Sequence, residues 1–136
     1  MSILFASIFC RELKRLAKKD PSLPRETLRV ALSWTQETAL QGTLVSESKT
    51  QKARLLKSRI GSASRKKGKS GGYRVYYGLV GEQVLLLRMF SKAKVEDLPK
   101  SEVDRLKAAC VAESFASIAE QWRTVDEFRE FFDMVS

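Results

Sequence analysis

The chain has no histidine, and among its 136 residues it has only two cysteines and three prolines. Cys10 and Cys110 are far apart and match no metal-binding or redox spacing, so the usual ligands of zinc and haem sites are missing. We therefore expect no metal and no other cofactor. Both cysteines are predicted to be small core residues of a protein in a reducing cytosol.

Acidic residues are missing from the middle of the chain, between Glu47 and Glu82. The same stretch carries ten basic residues, namely Lys49, Lys52, Arg54, Lys57, Arg59, Arg65, Lys66, Lys67, Lys69 and Arg74. Residues 1–100 contain 21 basic and 8 acidic side chains, residues 101–136 contain 4 and 8, and the formal net charge is +9. This charge distribution indicates a polyanionic partner, most simply nucleic acid.

Long apolar runs are also missing. The apolar segment Ser2–Cys10 is too short to span a bilayer and lacks the basic residues that begin a signal peptide. We expect a cytoplasmic protein with no membrane partner. A content of 43% hydrophobic residues is enough for one core at this length.

Helical periodicity dominates the first third of the chain. Apolar residues recur at steps of three and four in Ala6–Lys19 and again in Leu28–Ala39, which ends before Gly42, and this predicts a helical hairpin. A short extended segment is predicted before the hairpin, at Ser2–Phe5, and a polar loop after it, at Thr43–Gln51.

The middle of the chain changes to strand-like patterns, which predict three strands at Arg54–Ile60, Tyr73–Val80 and Gln83–Phe90. A two-residue turn at Gly81–Glu82 joins the last two as a hairpin. In that register Arg88 lies opposite Val75, on the face away from Arg74. A turn of another length would bring the two arginines to one face.

Two capping boxes are predicted in the C-terminal part of the chain. The first, Ser101–Asp104, would open a helix that continues through Trp122 with an interruption near Ala112, and the second, Thr124–Glu127, would open a short amphipathic helix. The aromatic face of this last helix has two interpretations. It completes the core against the helical hairpin, or the helix docks on the basic face and its carboxylates screen that face from RNA.

The basic, glycine-rich stretch Gly61–Gly72 has three interpretations. A P-loop at Gly68-Lys69-Ser70 is disfavoured because that motif needs a glycine where Ala63 stands and opens a helix, whereas this stretch opens a strand. A solvated loop that only increases solubility is the simplest interpretation. A nucleic-acid site is favoured by Arg59 and Arg74 on the flanking strands, because an arginine within a strand needs hydration or a partner.

Three segments carry a resemblance to a known family: Leu56–Ile60 (LKSRI), Gly68–Val75 (GKSGGYRV) and Phe90–Leu98 (FSKAKVEDL). In this order of elements, and over roughly residues 3–110, the chain resembles the RelE/HigB family of bacterial toxins from toxin–antitoxin modules, and it is closest to the HigB-like branch. The resemblance implies an α+β fold in which a small antiparallel sheet packs against the N-terminal helical hairpin. Residues 1–110 would form this toxin domain and residues 111–136 a C-terminal helical extension packed on it.

The resemblance also implies a function. Such toxins are endoribonucleases that need no metal, enter the ribosomal decoding region through a basic concave face and cleave mRNA there. An antitoxin, often of helix-turn-helix type, neutralises them. The family's site residues correspond to Lys57, Arg59, Lys69, Arg74 and Lys92. This chain departs from the family at Ala93, where many relatives have arginine, and it has neither the histidine nor the C-terminal tyrosine of some relatives.

Elementary chemistry assigns roles to these side chains. Arg59 and Arg74 stay charged and can fork onto phosphate oxygens, whereas Lys57 and Lys69 have cationic neighbours that favour a neutral amine and thus a general base. A wider RNA-binding set, with tyrosines that stack on bases, is predicted at Lys52, Arg54, Arg65, Lys66, Lys67, Tyr73 and Tyr76. Two alternatives stay open, a superfamily toxin that inhibits DNA gyrase without catalysis, and a plain basic nucleic-acid-binding module.

Overall fold

The computed structural model describes residues 2–34, 36–50, 52–60, 72–91, 97–110 and 122–134. These residues form an α+β fold. Its strands are β1 (Ser2–Ala6), β2 (Thr43–Ser48), β3 (Ala53–Ile60), β4 (Tyr73–Val80), β5 (Gln83–Ser91) and β6 (Trp122–Arg123). Its helices are α1 (Ser7–Ala17), α2 (Leu23–Ser33), α3 (Gln36–Ala39), α4 (Lys100–Ala109) and α5 (Val125–Phe131).

The strands form one mixed sheet in the order β2-β3-β4-β5-β1-β6. The predicted antiparallel sheet is correct for β3, β4 and β5, but β1 adds to β5 in parallel, with Phe5 opposite Leu86. Two further strands were missed. The predicted loop Thr43–Gln51 contains β2, which pairs with β3, and Trp122 lies in β6 rather than in a helix.

Helices cover both faces of the sheet, so the central strand β4 is buried on both sides. One face packs against α1 and α2 through residues such as Phe9, Leu13 and Val75. The other face packs against α4, where Leu106 and Cys110 contact the strands. Both cysteines are buried, as predicted, and burial raises the pKa of Cys10 to about 11 and the pKa of Cys110 to about 12.

The helical hairpin is confirmed, although its second arm ends earlier than predicted because Trp34 adopts an extended conformation after α2. The capping box at Ser101 is wrong, since α4 begins at Lys100 with Pro99 as its N-cap and has no side-chain cap. The box at Thr124 is confirmed. The Thr124 hydroxyl accepts from the Glu127 amide at 3.2 Å, and the Glu127 carboxylate accepts from the Thr124 amide at 3.1 Å.

The last helix, α5, belongs to the core on the α1 side of the sheet. Phe128 is fully buried, and its ring stacks on Phe5 with the ring centroids 4.2 Å apart. The neighbouring Phe131 ring lies under two cations, Lys14 at 4.9 Å and Arg123 at 4.4 Å from its centroid. This packing agrees with the first interpretation of the C-terminal helix, as part of the core.

No helix in the described part of the chain combines the length and the apolar character that a membrane crossing requires.

Candidate nucleic-acid interface

Three cations lie together on the α4 face of the sheet. In the β3–β4 ladder Arg59 pairs directly with Arg74, and Lys57 pairs with Tyr76, so the three basic side chains share one face. Like charges directly opposite each other in a ladder destabilise a sheet. The described structure therefore concentrates positive charge on this face of the sheet.

One carboxylate bridges two of these cations. Oδ1 of Asp97 accepts from Nζ of Lys57 at 2.6 Å and from Nη1 of Arg74 at 2.9 Å, which are lengths of charge-assisted hydrogen bonds. The hydrogen bond from Lys57, together with the charge of Arg74, holds the pKa of Asp97 below its usual value. Among the described residues no carboxylate lies within salt-bridge distance of Arg59. We call Lys57, Arg59 and Arg74 the basic cluster.

Tyr76 binds the residue that follows Asp97. Its ring is buried against Phe90, with the centroids 5.7 Å apart, and its hydroxyl oxygen accepts from the amide of Leu98 at 3.3 Å. Leu98 also packs against the apolar residues of this face. The segment that carries Asp97 is thus fastened to β4 one residue after the carboxylate.

The prediction that Tyr73 and Tyr76 stack on RNA bases is not supported by their positions. The two side chains are 3% and 1% exposed, because β4 is covered by helices on both faces. Tyr73 lies on the α1 face, where its hydroxyl donates to the buried Asp20 carboxylate at 3.1 Å. Both tyrosines support the fold instead of offering a ring to a base.

Lys52 and Arg54 lie away from the basic cluster. Arg54 points to the α1 face, since it pairs with Leu79, and it is bound to Glu47 at 2.9 Å. Lys52 lies in the turn between β2 and β3 with a φ of 51°. Both line a separate open cavity of about 460 Å³ at the far end of β3. Lys52 and Arg54, which were predicted to bind RNA, therefore lie apart from the basic cluster.

Five predicted site residues lie outside the described residues, namely Arg65, Lys66, Lys67, Lys69 and Lys92. The described strands that flank these positions end beside the basic cluster. Ile60 at the end of β3 pairs with Tyr73 at the start of β4, and Tyr73 pairs with Ser91 at the end of β5.

Arg88 forms an ion-pair group between the sheet and two helices. The two-residue turn is confirmed by the pairing of Val80 with Gln83. The prediction that Arg88 lies opposite Val75, on the face away from Arg74, is wrong, because a register shift between Tyr76 and Tyr77 places Arg88 opposite Tyr76. Its guanidinium binds Glu12 of α1 at 2.9 Å and Glu102 of α4 at 2.7 Å. The hydrogen bond to Glu12 is the main reason why the pKa of Arg88 is raised. This ion-pair group fastens both helical layers to β5.

The basic cluster has the chemistry of a phosphate-binding site. The guanidinium of Arg74 is planar, permanently charged and able to donate two parallel hydrogen bonds. The amino group of Lys57 is compact, and it binds the same oxygen atom as Arg74. Lys57 donates to a carboxylate here, whereas the predicted role of general base needs this side chain to accept a proton. Sequence reasoning assigned no role to Asp97, although Asp97 lies within the family-like segment FSKAKVEDL.

No protein-family model matches the chain, and no curated protein is significantly similar to it.

Proposed function

We propose that this protein is a ribosome-dependent endoribonuclease, the toxin of a toxin–antitoxin module. The observation that carries the proposal is the convergence of Lys57 and Arg74 on one anionic oxygen, beside the paired Arg59. Together with the resemblance of the surrounding segments to RelE/HigB toxins, this arrangement favours the binding of an RNA phosphate over a diffuse charge effect. Cytoplasmic location and neutralisation by a helix-turn-helix antitoxin belong to the same proposal.

In the proposed reaction the 2′-hydroxyl oxygen of the RNA attacks the adjacent phosphorus, and the bond from phosphorus to the 5′-oxygen breaks. One proton leaves the 2′-hydroxyl and one reaches the departing 5′-oxygen. Arg74 and Arg59 bind the phosphate oxygens, whose negative charge increases in the transition state. Lys57 binds a phosphate oxygen in its charged form, and Lys69 and Lys92 are the remaining candidates for proton transfer.

The ribosome supplies what this site lacks. Without histidine, the proton transfers depend on lysines, which ionise far from neutral pH unless their surroundings shift them. Alignment of the 2′-hydroxyl with the scissile bond is worth several orders of magnitude in rate. We therefore expect slow cleavage of free RNA and faster cleavage of mRNA held in the decoding region.

Controlled expression in bacteria tests the proposal. The wild-type protein should stop growth and protein synthesis, and Arg74→Ala should restore growth at equal protein levels. Arg54→Ala is the matched control, since it removes the same charge from an arginine outside the basic cluster. DNA breakage with an SOS response and intact mRNA would instead indicate a gyrase inhibitor, and harmless expression would indicate a plain binding module.

A further inference from the structure

The Asp97 carboxylate occupies the position between Lys57 and Arg74 at which the proposed site would bind a phosphate. One oxygen of Asp97 receives hydrogen bonds from both Lys57 and Arg74, at 2.6 and 2.9 Å. A phosphate oxygen carries the same charge character and accepts hydrogen bonds of the same length from lysine and arginine. Carboxylate and phosphate are therefore alternative ligands of this pair of cations.

The three side chains differ in their freedom to move. Arg74 is 11% exposed and Lys57 is 25% exposed, whereas the side chain of Asp97 is 63% exposed. The two cations project from central strands of the sheet, where the ladder fixes their backbone. Asp97 lies on an irregular segment before α4, and Leu98 is the residue that fastens this segment to Tyr76. A ligand that enters the site displaces the carboxylate more easily than the cations.

We propose that Asp97 is an internal competitor for the phosphate subsite, which it occupies in the free protein and leaves when an RNA phosphate binds between Lys57 and Arg74. This inference rests on the proposed function, because it identifies the RNA phosphate as the competing ligand. The competition lowers the affinity of the basic cluster for RNA in general. Only RNA that is held in place by further contacts, as on the ribosome, then displaces the carboxylate efficiently.

A role in positioning makes the opposite prediction. If Asp97 served to hold Lys57 and Arg74 in their binding geometry, its removal would loosen both cations and weaken phosphate binding. Competition and positioning thus differ in the sign of one measurement, the change in affinity when the carboxylate is neutralised.

The experiment compares Asp97→Asn with Asp104→Asn, an exposed carboxylate on α4 with the same change of charge. Each protein is titrated with a short single-stranded RNA that is 2′-O-methylated and so cannot be cleaved. Binding of inorganic phosphate is followed in parallel by NMR. Because the ion pairs of an exposed carboxylate with two cations are lost, Asp97→Asn should bind RNA about three- to tenfold more tightly than Asp104→Asn. Asp97→Ala, which also removes the acceptor atoms, should gain at least as much.

Equal affinity of the Asp97 and Asp104 variants would overturn the inference, and weaker binding by Asp97→Asn would establish the positioning role instead. A thermal melt of each variant ensures that only folded protein is compared. If Asp97→Asn binds inorganic phosphate more tightly but binds no RNA, the anion subsite is supported and the proposed function is refuted. If neither ligand binds any of the proteins, both the inference and the proposed function fail.

Discussion

Replacement of Phe128 by alanine tests whether the C-terminal helix is part of the core. The side chain is fully buried, stacks on Phe5 at 4.2 Å, and contacts Phe132 with the ring centroids 4.7 Å apart. Removal of a buried phenylalanine ring costs roughly 3–5 kcal/mol of unfolding free energy. For a domain of this size, that cost lowers the melting temperature by about 10–20 °C.

Thermal unfolding followed by circular dichroism measures the effect. Glu130→Ala is the matched control because Glu130 is exposed on the same helix, and its melting temperature should stay within about 2 °C of the wild type. The substitution at Phe128 leaves every acidic residue of α5 in place, so it separates packing from charge. A Phe128→Ala protein that melts like the wild type would refute the assignment of α5 to the core. A gain in RNA affinity by Glu130→Ala would instead favour a screening role for the acidic face.

Three further predictions concern other parts of the molecule. Arg88→Met leaves the carboxylates of Glu12 and Glu102 without their shared partner. It should lower the free energy of unfolding, measured by denaturant titration, by on the order of 2 kcal/mol. An unchanged midpoint would show that the ion pairs are dispensable. Neither Cys10 nor Cys110 should react with Ellman's reagent at pH 8 before unfolding, since burial keeps both thiols protonated; rapid labelling of the native protein would contradict their core positions. If about five phosphates are contacted, log K for single-stranded RNA should fall with log salt at a slope of about −3 to −4, and a flat dependence would exclude an electrostatic interface.

Local patterns predicted the central hairpin but not its exact register. Short apolar runs and the Gly81–Glu82 turn identified β4 and β5, and the pairing of Val80 with Gln83 followed. The shift that moves Arg88 opposite Tyr76 left no signal in the sequence. It lies next to the run Val84–Leu87, which is buried on both faces and therefore shows no alternation.

Tertiary pairing explains two features that the strand patterns did not predict, the parallel partner of β1 and the strand β2. β1 is recognisable as an extended segment, but its parallel partner β5 lies far along the chain. β2, with the sequence TLVSES, is an edge strand whose residues are exposed or only partly buried, so its composition is typical of a loop. In both cases the tertiary partner, and not local propensity, determines the strand.

The sequence predicted only those site residues whose positions follow directly from the strand pattern. Arg59 and Arg74 flank the basic loop in sequence, and the ladder pairs them. The tyrosines were assigned to RNA because the sequence does not show that helices cover both faces of β4. Asp97 could not be placed, since its position depends on a contact between Leu98 and Tyr76, 22 residues apart.

The most direct test of the proposed function is mRNA cleavage in a purified translation system, mapped by primer extension. The wild-type protein should cut mRNA on translating ribosomes and leave free mRNA largely intact. Arg74→Ala should slow the cleavage about 100- to 1000-fold, as expected for loss of one transition-state contact, whereas Arg54→Ala should cut at close to the wild-type rate. Intact mRNA with the wild-type protein, or equal losses in the two variants, would contradict the proposed nuclease site at Lys57, Arg59 and Arg74.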